Sequence, residues 1–118
     1  AWDRLQDSIK RLFAYRLEPP DSTGAHILAE YRIAGGPRLD IASAGSGFQQ
    51  VLMLLAMLNT RPGAVLLLDE PVAHLHKTLH DAIYVELASA AGRTGAQLII
   101  ATRTCEPVPG FSVTQMER

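Results

Sequence analysis

Residues 64–71 have the sequence Ala-Val-Leu-Leu-Leu-Asp-Glu-Pro, an apolar run that ends abruptly in two carboxylates and a proline. The run is too short for a membrane span or a typical helix and is flanked by turn residues. It therefore predicts a strand buried on both faces, as in a parallel sheet. In open parallel sheets, ligands bind beyond the carboxyl ends of the strands. Asp69 and Glu70 stand at that end, where an acidic pair suits Mg²⁺ coordination and activation of a water molecule. The alternative is a strand that stops in a solvated acidic turn.

The composition is that of one small domain with its own core. The chain has 118 residues, of which 47% are hydrophobic, so it is too short for two ordinary domains. The net charge is −1 and no basic tract is present, so strong nonspecific binding to nucleic acid is not encoded. Cys105 is the only cysteine, which excludes an internal disulfide and indicates a reducing, cytoplasmic setting. No apolar run is long enough to cross a bilayer, so no membrane partner is expected.

Hydrophobic spacing and turn residues predict an α/β fold. In chain order, the predicted elements are a helix over 2–15, a hairpin over 26–33 and 38–41, a helix over 48–58 that is apolar on nearly every side and therefore buried, a strand over 65–68, an amphipathic helix over 78–91 closed by Gly92, a strand over 96–102 and a short strand over 111–114. Residues 65–100 form one βαβ unit, which should be a right-handed crossover. The hairpin is then a small antiparallel attachment to a partial parallel sheet.

A run of small residues, Ser-Ala-Gly-Ser-Gly over 43–47, leads into the predicted buried helix. Ser46 is expected to cap this helix, since its hydroxyl can accept a free backbone N–H of the first turn. Gly45 and Gly47 permit close approach of a ligand to the backbone. A helix N-terminus with free N–H groups and a hydroxyl suits a phosphate. The alternative is an ordinary glycine-rich helix cap.

Together, these two segments resemble the heads of ABC-type ATPases. Residues 45–49, Gly-Ser-Gly-Phe-Gln, are similar to the signature loop usually written Leu-Ser-Gly-Gly-Gln, and residues 66–71 are similar to the Walker B motif. Residues 73–76, Ala-His-Leu-His, stand where the D-loop follows. The sub-type resembled is the bacterial AAA ATPases with ABC-like heads, similar to the chromosome-maintenance, RecF-like and overcoming-lysogenization-defect groups. The resemblance covers residues 41–104 and implies a partial P-loop NTPase sheet with flanking helices.

The resemblance also implies a role for each residue that matches a motif. Asp69 would help to hold Mg²⁺, and Glu70 would orient and deprotonate the water that attacks ATP. His74 and Leu75 would lie at the interface of a dimer of heads, and DNA is a possible partner of the whole protein. The residues implied in binding a nucleotide held by the partner head are Gly45, Ser46, Gly47 and Gln49.

One departure from the family pattern concerns the P-loop. The sequence Gly-x-x-x-x-Gly-Lys-Ser/Thr does not occur, and the two lysines, Lys10 and Lys77, do not follow a glycine run. We therefore expect this chain to be the C-terminal half of a head, inactive alone, whose partner is an N-terminal half with Walker A. On that expectation residues 1–42 form the helix and hairpin, 43–104 the core with both motifs, and 105–118 the tail. An apolar patch left uncovered would favour a homo-oligomer.

A second departure concerns the residue after the last buried strand. In the family a switch histidine stands there, in a pattern like Ala-Thr-His-Ser, whereas this chain has Ala-Thr-Arg-Thr over 101–104. The guanidinium of Arg103 is expected to approach the carboxylates of Asp69 and Glu70 and to pair with Glu70, which would restrain hydrolysis. The alternative is that Arg103 binds the γ-phosphate and assists turnover.

Two further interpretations compete with an ATPase part. The first is a noncatalytic nucleotide-sensing or dimerisation module that acts by docking onto a partner. The second is a zinc site, because His76 and His80 are four residues apart and His74 lies close by. The zincin pattern requires Glu where this chain has Lys77, so that version fails. Cys105 is interpreted as a buried or loop thiol rather than a nucleophile.

Overall fold

Three helices and two small sheets make up the chain in the computed structural model, which describes residues 2–20, 23–24, 29–103, 108 and 110–112. The elements are α1 (Trp2–Phe13), β1 (Tyr15–Leu17), β2 (Glu30–Ile33), β3 (Arg38–Asp40), a 3-10 turn (Ile41–Ser43), α2 (Ser46–Thr60), β4 (Val65–Asp69), α3 (Lys77–Thr94) and β5 (Gln97–Ala101). One sheet has the order β1-β2-β3 and the other pairs β4 with β5. The predicted α/β class is confirmed.

The core lies between the three helices, each of which buries one stripe of apolar residues. In α1 the stripe follows the helical spacing of Leu5, Ile9 and Leu12, while charged residues occupy the opposite side. Among the described residues, the largest fully buried side chains of the core include Ile9, Leu17, Leu55, Leu58, Ile83 and Leu87. Burying a side chain of this size contributes about 1.5–3 kcal/mol, so this cluster holds α1 and α2 onto α3.

Helix α2 departs from its prediction, because it is not buried on every face. Its buried residues recur at helical spacing, from Phe48 through Val51 and Leu55 to Leu58. Met53 lies on the other side and is 56% exposed. The expectation of a fully buried helix is therefore wrong: α1 and α3 cover only one side of α2 within the described residues.

The sheet of β4 and β5 confirms the predicted βαβ unit. The two strands are parallel, with a register that runs from Val65 opposite Gln97 to Asp69 opposite Ala101. Side chains alternate between a half-buried face, which packs against the helical core, and an exposed face. On the exposed face, Leu67 is 75% and Ile99 is 59% accessible. The prediction that β4 is buried on both faces is therefore wrong for this structure, because the described helices cover only one side of the sheet. The expected apolar patch is present on the other side.

The antiparallel part has three strands rather than the two of the predicted hairpin. The predicted first helix reaches residue 15, whereas α1 ends at Phe13 and Ala14 adopts a left-handed φ of 57°. That turn sends β1 antiparallel to β2, with Tyr15 opposite Ile33, and β2 pairs in turn with β3. The first part of the predicted hairpin, residues 26–28, lies outside the described residues.

The ends of two other predicted elements also differ. Helix α3 runs through Gly92 and ends at Thr94, and the next residue, Gly95, has a left-handed φ of 70° that lets Ala96 donate to the carbonyl of Ala91. Gly92 lies within the helix, so it does not close the helix as the sequence predicted. The last predicted strand is not formed at Phe111 and Ser112, and residues 113–114 lie outside the described residues.

An ion pair with a hydrogen-bonded serine joins α1 to α3. The carboxylate of Glu86 accepts from Arg11 Nε at 2.6 Å, from Arg11 Nη2 at 3.2 Å and from the hydroxyl of Ser8 at 3.0 Å. Burial alone would raise the pKa of Glu86, but the hydrogen bonds from Arg11 and Ser8, with the charges of Arg11 and Arg93, hold this pKa below its ordinary value. The folded state therefore favours the charged carboxylate.

We predict that Glu86→Gln lowers the free energy of unfolding at pH 7 by about 1 kcal/mol, a value reduced for the exposure of Arg11. A depressed pKa stabilises the fold above the pKa of the unfolded chain, and this stability is lost as pH falls through the folded value. Lowering the pH from 7 to 3 should thus reduce the free energy of unfolding more in the wild type than in the variant, as measured by urea unfolding at each pH. Asp81→Asn, on the exposed side of α3, is the control, and parallel pH curves for wild type and Glu86→Gln would contradict the prediction.

Candidate functional site

The carboxyl ends of β4 and β5 bring the two acidic residues to one edge of the parallel sheet. Asp69 is the last residue of β4, is exposed, and lies opposite Ala101 of β5. It borders a shallow open depression on the exposed face of the sheet, lined also by Leu67, Leu68 and Ile99. The sequence predicted this placement, and the depression leaves the carboxylate of Asp69 accessible to a ligand.

Glu70 is fixed against the end of β5 by three hydrogen bonds. Its backbone N–H donates to the carbonyl of Ala101 at 2.8 Å. Its carboxylate accepts from the backbone N–H of Arg103 at 2.7 Å through Oε1, and from the hydroxyl of Thr102 at 3.3 Å through Oε2. Glu70 also has a left-handed φ of 47°, which costs about 1–3 kcal/mol for a residue other than glycine and is kept only where the surroundings impose it.

The expected ion pair between Arg103 and Glu70 is not formed. Both residues are described, yet no ion pair joins the guanidinium of Arg103 to the carboxylate of Asp69 or Glu70. The reason is local geometry: Arg103 follows the strand in an exposed bend that turns its backbone N–H toward Glu70. Any residue except proline could donate this hydrogen bond, so the side chain of Arg103 does not determine it.

Two residues near Glu70 were missed in the sequence. Thr102 donates to its carboxylate, and Tyr84 of α3 is buried beside Thr102. Burial raises the pKa of Tyr84, the Thr102 side chain opposes this, and the charge of Glu70 raises it further. Thr102 could have been found from the strand register, because Asp69 opposite Ala101 places residue 102 next to residue 70. No sequence signal marked Tyr84.

The second predicted segment is the N-terminus of α2, and its cap differs from the prediction. Gly45 is the cap residue, with φ 87° and ψ 153°, a conformation essentially restricted to glycine, and no side chain caps the helix. Ser46 is therefore the first helical residue, and its expected capping role is wrong. The first intrahelical hydrogen bond runs from the N–H of Gln49 to the carbonyl of Gly45, so the helix itself does not use the amides of residues 46–48.

Gly47 is packed tightly against the loop that follows β4. A Cβ atom at this position would lie 2.6 Å from Cδ2 of Leu75 and 2.9 Å from the carbonyl oxygen of His74. Glycine is thus required for the contact. The same loop begins at Glu70, where Pro71 and Val72 are buried. Residues 71–75 therefore connect the acidic edge of the sheet to the start of α2.

Phe48 anchors the start of α2 to the antiparallel sheet. Its ring contacts those of Phe13, Tyr15 and Tyr31 at centroid distances of 4.9, 5.1 and 5.6 Å, two of them edge to face. Aromatic pairs of this kind contribute about 0.5–1.5 kcal/mol beyond their buried area. The position of Ser46 and Gly47 thus depends on α1, β1 and β2 as well as on the loop after β4.

Several predicted ligands are used in local hydrogen bonds. Gln49 Nε2 donates to the carbonyl of Ala42 at 3.1 Å. His76 Nδ1 accepts from the backbone N–H of Thr78 and caps α3, while His80 Nε2 donates to the carbonyl of Leu75. His74 is exposed and Leu75 is half-buried.

These contacts give no support to the zinc interpretation. Within the described part of the chain, no three His, Cys, Asp or Glu residues lie together in a way that could hold a metal ion. Cys105 and Glu106 lie outside that part.

Comparison with known proteins identifies a family. The description of the matching family is "AAA domain, putative AbiEii toxin, Type IV TA system", and the match covers residues 2–102. The chain is also similar to the Fe(3+) ions import ATP-binding protein FbpC of Streptomyces coelicolor, with 33% identity over 78 residues. That alignment covers 66% of this chain and 22% of FbpC, so the chain spans about a fifth of that relative.

A solved structure shows the same fold. It is described as "Structural biochemistry of ATP-driven dimerization and DNA stimulated activation of SMC ATPases" and superimposes with a TM-score of 0.52. The identity is 20%, and the match covers 88% of this chain and 70% of the other. At that identity the likeness concerns the fold, which is that of a P-loop NTPase. In the part of our chain that the structure describes, every helix is too short or too polar to span a membrane.

We predict that Gly47→Ala destabilises the protein by about 1–3 kcal/mol, because the added methyl group requires Leu75 and the backbone at His74 to move. Gly92→Ala is the matched control, because no atom of the described residues lies within 4 Å of a Cβ at that helical position. This variant should therefore be more stable than the wild type by about 0.5–1 kcal/mol. Urea unfolding of both variants measures the difference. Equal effects of the two substitutions would show that the contact between Gly47 and Leu75 does not constrain the fold.

Proposed function

Because the chain belongs to the family of AAA domains described as putative AbiEii toxin, type IV toxin–antitoxin system, we propose that it supplies half of an ATP-hydrolysing site in an ABC-like head. Its contribution would be the signature loop, the Mg²⁺-binding aspartate and the catalytic glutamate. The observation that carries the proposal is the fixed carboxylate of Glu70 beside the accessible carboxylate of Asp69, at the end of a parallel strand.

Asp69 is suited to hold Mg²⁺. This ion binds through one or two carboxylates and otherwise keeps water and phosphate oxygens as ligands. The exposed carboxylate of Asp69 fits that requirement, whereas both oxygens of Glu70 already accept hydrogen bonds from residues 102 and 103. The bound ion would neutralise charge on the transferred phosphoryl group.

Glu70 is suited to orient and deprotonate the attacking water. Each carboxylate oxygen accepts one hydrogen bond in this structure and keeps a second lone pair for a water molecule. The backbone constraint at residue 70 and the contacts to residues 102 and 103 hold the carboxylate in one place. Phosphoryl transfer depends mainly on such positioning, so a fixed base serves it well.

The N-terminus of α2 would bind the γ-phosphate of a nucleotide held by another head. Gly45, Ser46 and Gly47 provide a glycine-bounded turn, an exposed hydroxyl and amides that the helix does not use. Gln49 would have to exchange its hydrogen bond with Ala42 for one with the nucleotide. His74 is exposed next to this turn, which agrees with a place at the interface between heads, whereas Leu75 contributes by packing under Gly47.

The cradle for the β- and γ-phosphates would come from elsewhere. The 118 residues contain no Gly-x-x-x-x-Gly-Lys-Ser/Thr sequence, and the backbone and lysine of that motif provide most ground-state contacts to ATP. We propose that a segment or partner with Walker A completes the site, and that residues 1–118 alone do not hydrolyse ATP. The exposed apolar face around Leu67 and Ile99 is the surface that such a segment or a second head would cover.

The biological setting that we propose is DNA maintenance or defence in the cytoplasm, through a homo-oligomer. Support comes from the description of the solved structure, which mentions ATP-driven dimerization and DNA-stimulated activation of SMC ATPases. The second candidate function is a noncatalytic nucleotide sensor or dimerisation module. It is favoured by Arg103, whose permanent cation cannot replace a neutral switch histidine. Arg103 would then bind the γ-phosphate without driving turnover.

We predict that Glu70→Gln, in an assembly that includes Walker A, lowers the ATPase rate by about 10²–10⁴-fold while nucleotide affinity changes little. The amide keeps the shape of the side chain and loses the base. Steady-state kinetics and equilibrium binding of a fluorescent ATP analogue measure the two effects. Asp81→Asn is the matched control for loss of a carboxylate. Wild-type turnover in Glu70→Gln would reject Glu70 as the base and favour the noncatalytic module.

A further inference from the structure

A histidine of helix α3 is hydrogen-bonded to the end of the loop that follows β4. Nε2 of His80 lies 3.0 Å from the carbonyl oxygen of Leu75, and the imidazole is half-buried. A carbonyl group only accepts, so Nε2 carries the proton and donates. His80 stands in the first turn of α3, and its hydrogen bond reaches back past the cap residue His76. The bond therefore joins the end of the loop to the helix that comes after it.

The two ends of this loop are held in different ways. Pro71 and Val72 at its beginning are buried, whereas the next two residues are exposed. An unsupported residue has many backbone conformations, and fixing one of them costs about 1–2 kcal/mol. The hydrogen bond from His80 holds the carbonyl of Leu75, whose side chain packs against Gly47. The contact between the loop and the start of α2 therefore lies beside the point at which His80 holds the chain.

We propose that His80 is a positioning residue, which acts through Leu75 to hold the loop after β4 against the N-terminus of α2. The residues after β5 already hold the carboxylate of Glu70, so His80 does not act on the acidic edge itself. It sets the places of Gly47 and of the exposed His74 relative to that edge. The catalytic part of this inference rests on the proposed function, in which the N-terminus of α2 meets a nucleotide held by another head.

The tautomer of His80 is the first readout, and it is measured in this chain without nucleotide. Nitrogen chemical shifts of the imidazole ring, recorded by nuclear magnetic resonance, show which ring nitrogen carries the proton. A freely exposed neutral imidazole exchanges between its two tautomers, whereas the hydrogen bond to Leu75 requires the proton on Nε2. We expect the Nε2–H form alone in the neutral ring. A mixture of both tautomers at His80 would overturn the proposal.

Hydrogen exchange of the Leu75 amide measures whether the loop is held. This amide donates to the carbonyl of Val72 at 3.1 Å within the loop, so it exchanges when the loop opens. His80→Leu removes the donor with a side chain of similar size and should speed the exchange about three- to tenfold, the loss of roughly one hydrogen bond. His80→Gln keeps an N–H donor at the same number of bonds from Cβ and should restore most of the protection.

Two controls separate this effect from general loosening of the fold. The amide of Ala96 donates to the carbonyl of Ala91 at the other end of α3 and should exchange at the wild-type rate in both variants. Asp81→Asn changes the adjacent, exposed residue of α3 and should leave the exchange of the Leu75 amide unchanged. The proposal is overturned if His80→Leu leaves the Leu75 amide protected, if it speeds both amides equally, or if His80→Gln restores nothing.

Kinetics in an assembly that includes Walker A test the catalytic consequence separately. His80→Leu should lower kcat about three- to tenfold at unchanged KM, because Walker A provides most ground-state contacts to ATP, and His80→Gln should restore the rate. If Glu70→Gln abolishes turnover while His80→Leu keeps the full rate, the positioning role is wrong and the proposed function stands. If Glu70→Gln keeps the full rate, the proposed function itself is wrong, and the exchange measurement decides whether His80 holds the loop.

Discussion

The parallel pairing of β4 with β5 is the constraint on which the rest of the site depends. Because Asp69 lies opposite Ala101, the residues that leave β5 pass directly beside Glu70. The carbonyl of Ala101 accepts from the backbone of Glu70, and the next two residues donate to its carboxylate. A shift of the register by one residue would turn every side chain to the other face and dissolve this arrangement. Helix α3 sustains the register, since it joins the two strands and covers one of their faces.

A second set of contacts links the acidic edge to the start of α2. The loop after β4 is anchored by Pro71 and Val72 and reaches Gly47 through Leu75. The aromatic cluster around Phe48 holds the other side of the same helix end. The two segments that resemble family motifs are therefore parts of one packed unit.

Much of this arrangement could be predicted from the sequence because the signals were local. Apolar runs, helical spacing and turn residues located β4, β5 and the helices, and a strand end next to two carboxylates predicted the acidic edge. The sequence could not show which face of the sheet is covered, since five apolar residues in a row look alike on both faces. Nor could the sequence show which roles fall to the backbone. The helix cap at Gly45 and the hydrogen bond from the amide of Arg103 depend on φ and ψ, whereas the sequence favoured the hydroxyl of Ser46 as the cap and the guanidinium of Arg103 as the partner of Glu70. The functional roles of the site residues stay predictions.

We propose that one head provides the acidic edge and that another head provides the signature turn of the same ATP site. The most direct measurement is the ATPase rate of mixed variants in an assembly that includes Walker A. Ser46→Arg should block the signature turn, and Glu70→Gln should remove the base, so each variant alone should be inactive. Mixing them should restore activity, because some assemblies then combine an intact turn with an intact acidic edge from different subunits. Two variants that remain inactive when mixed, although they form mixed assemblies, would contradict the account.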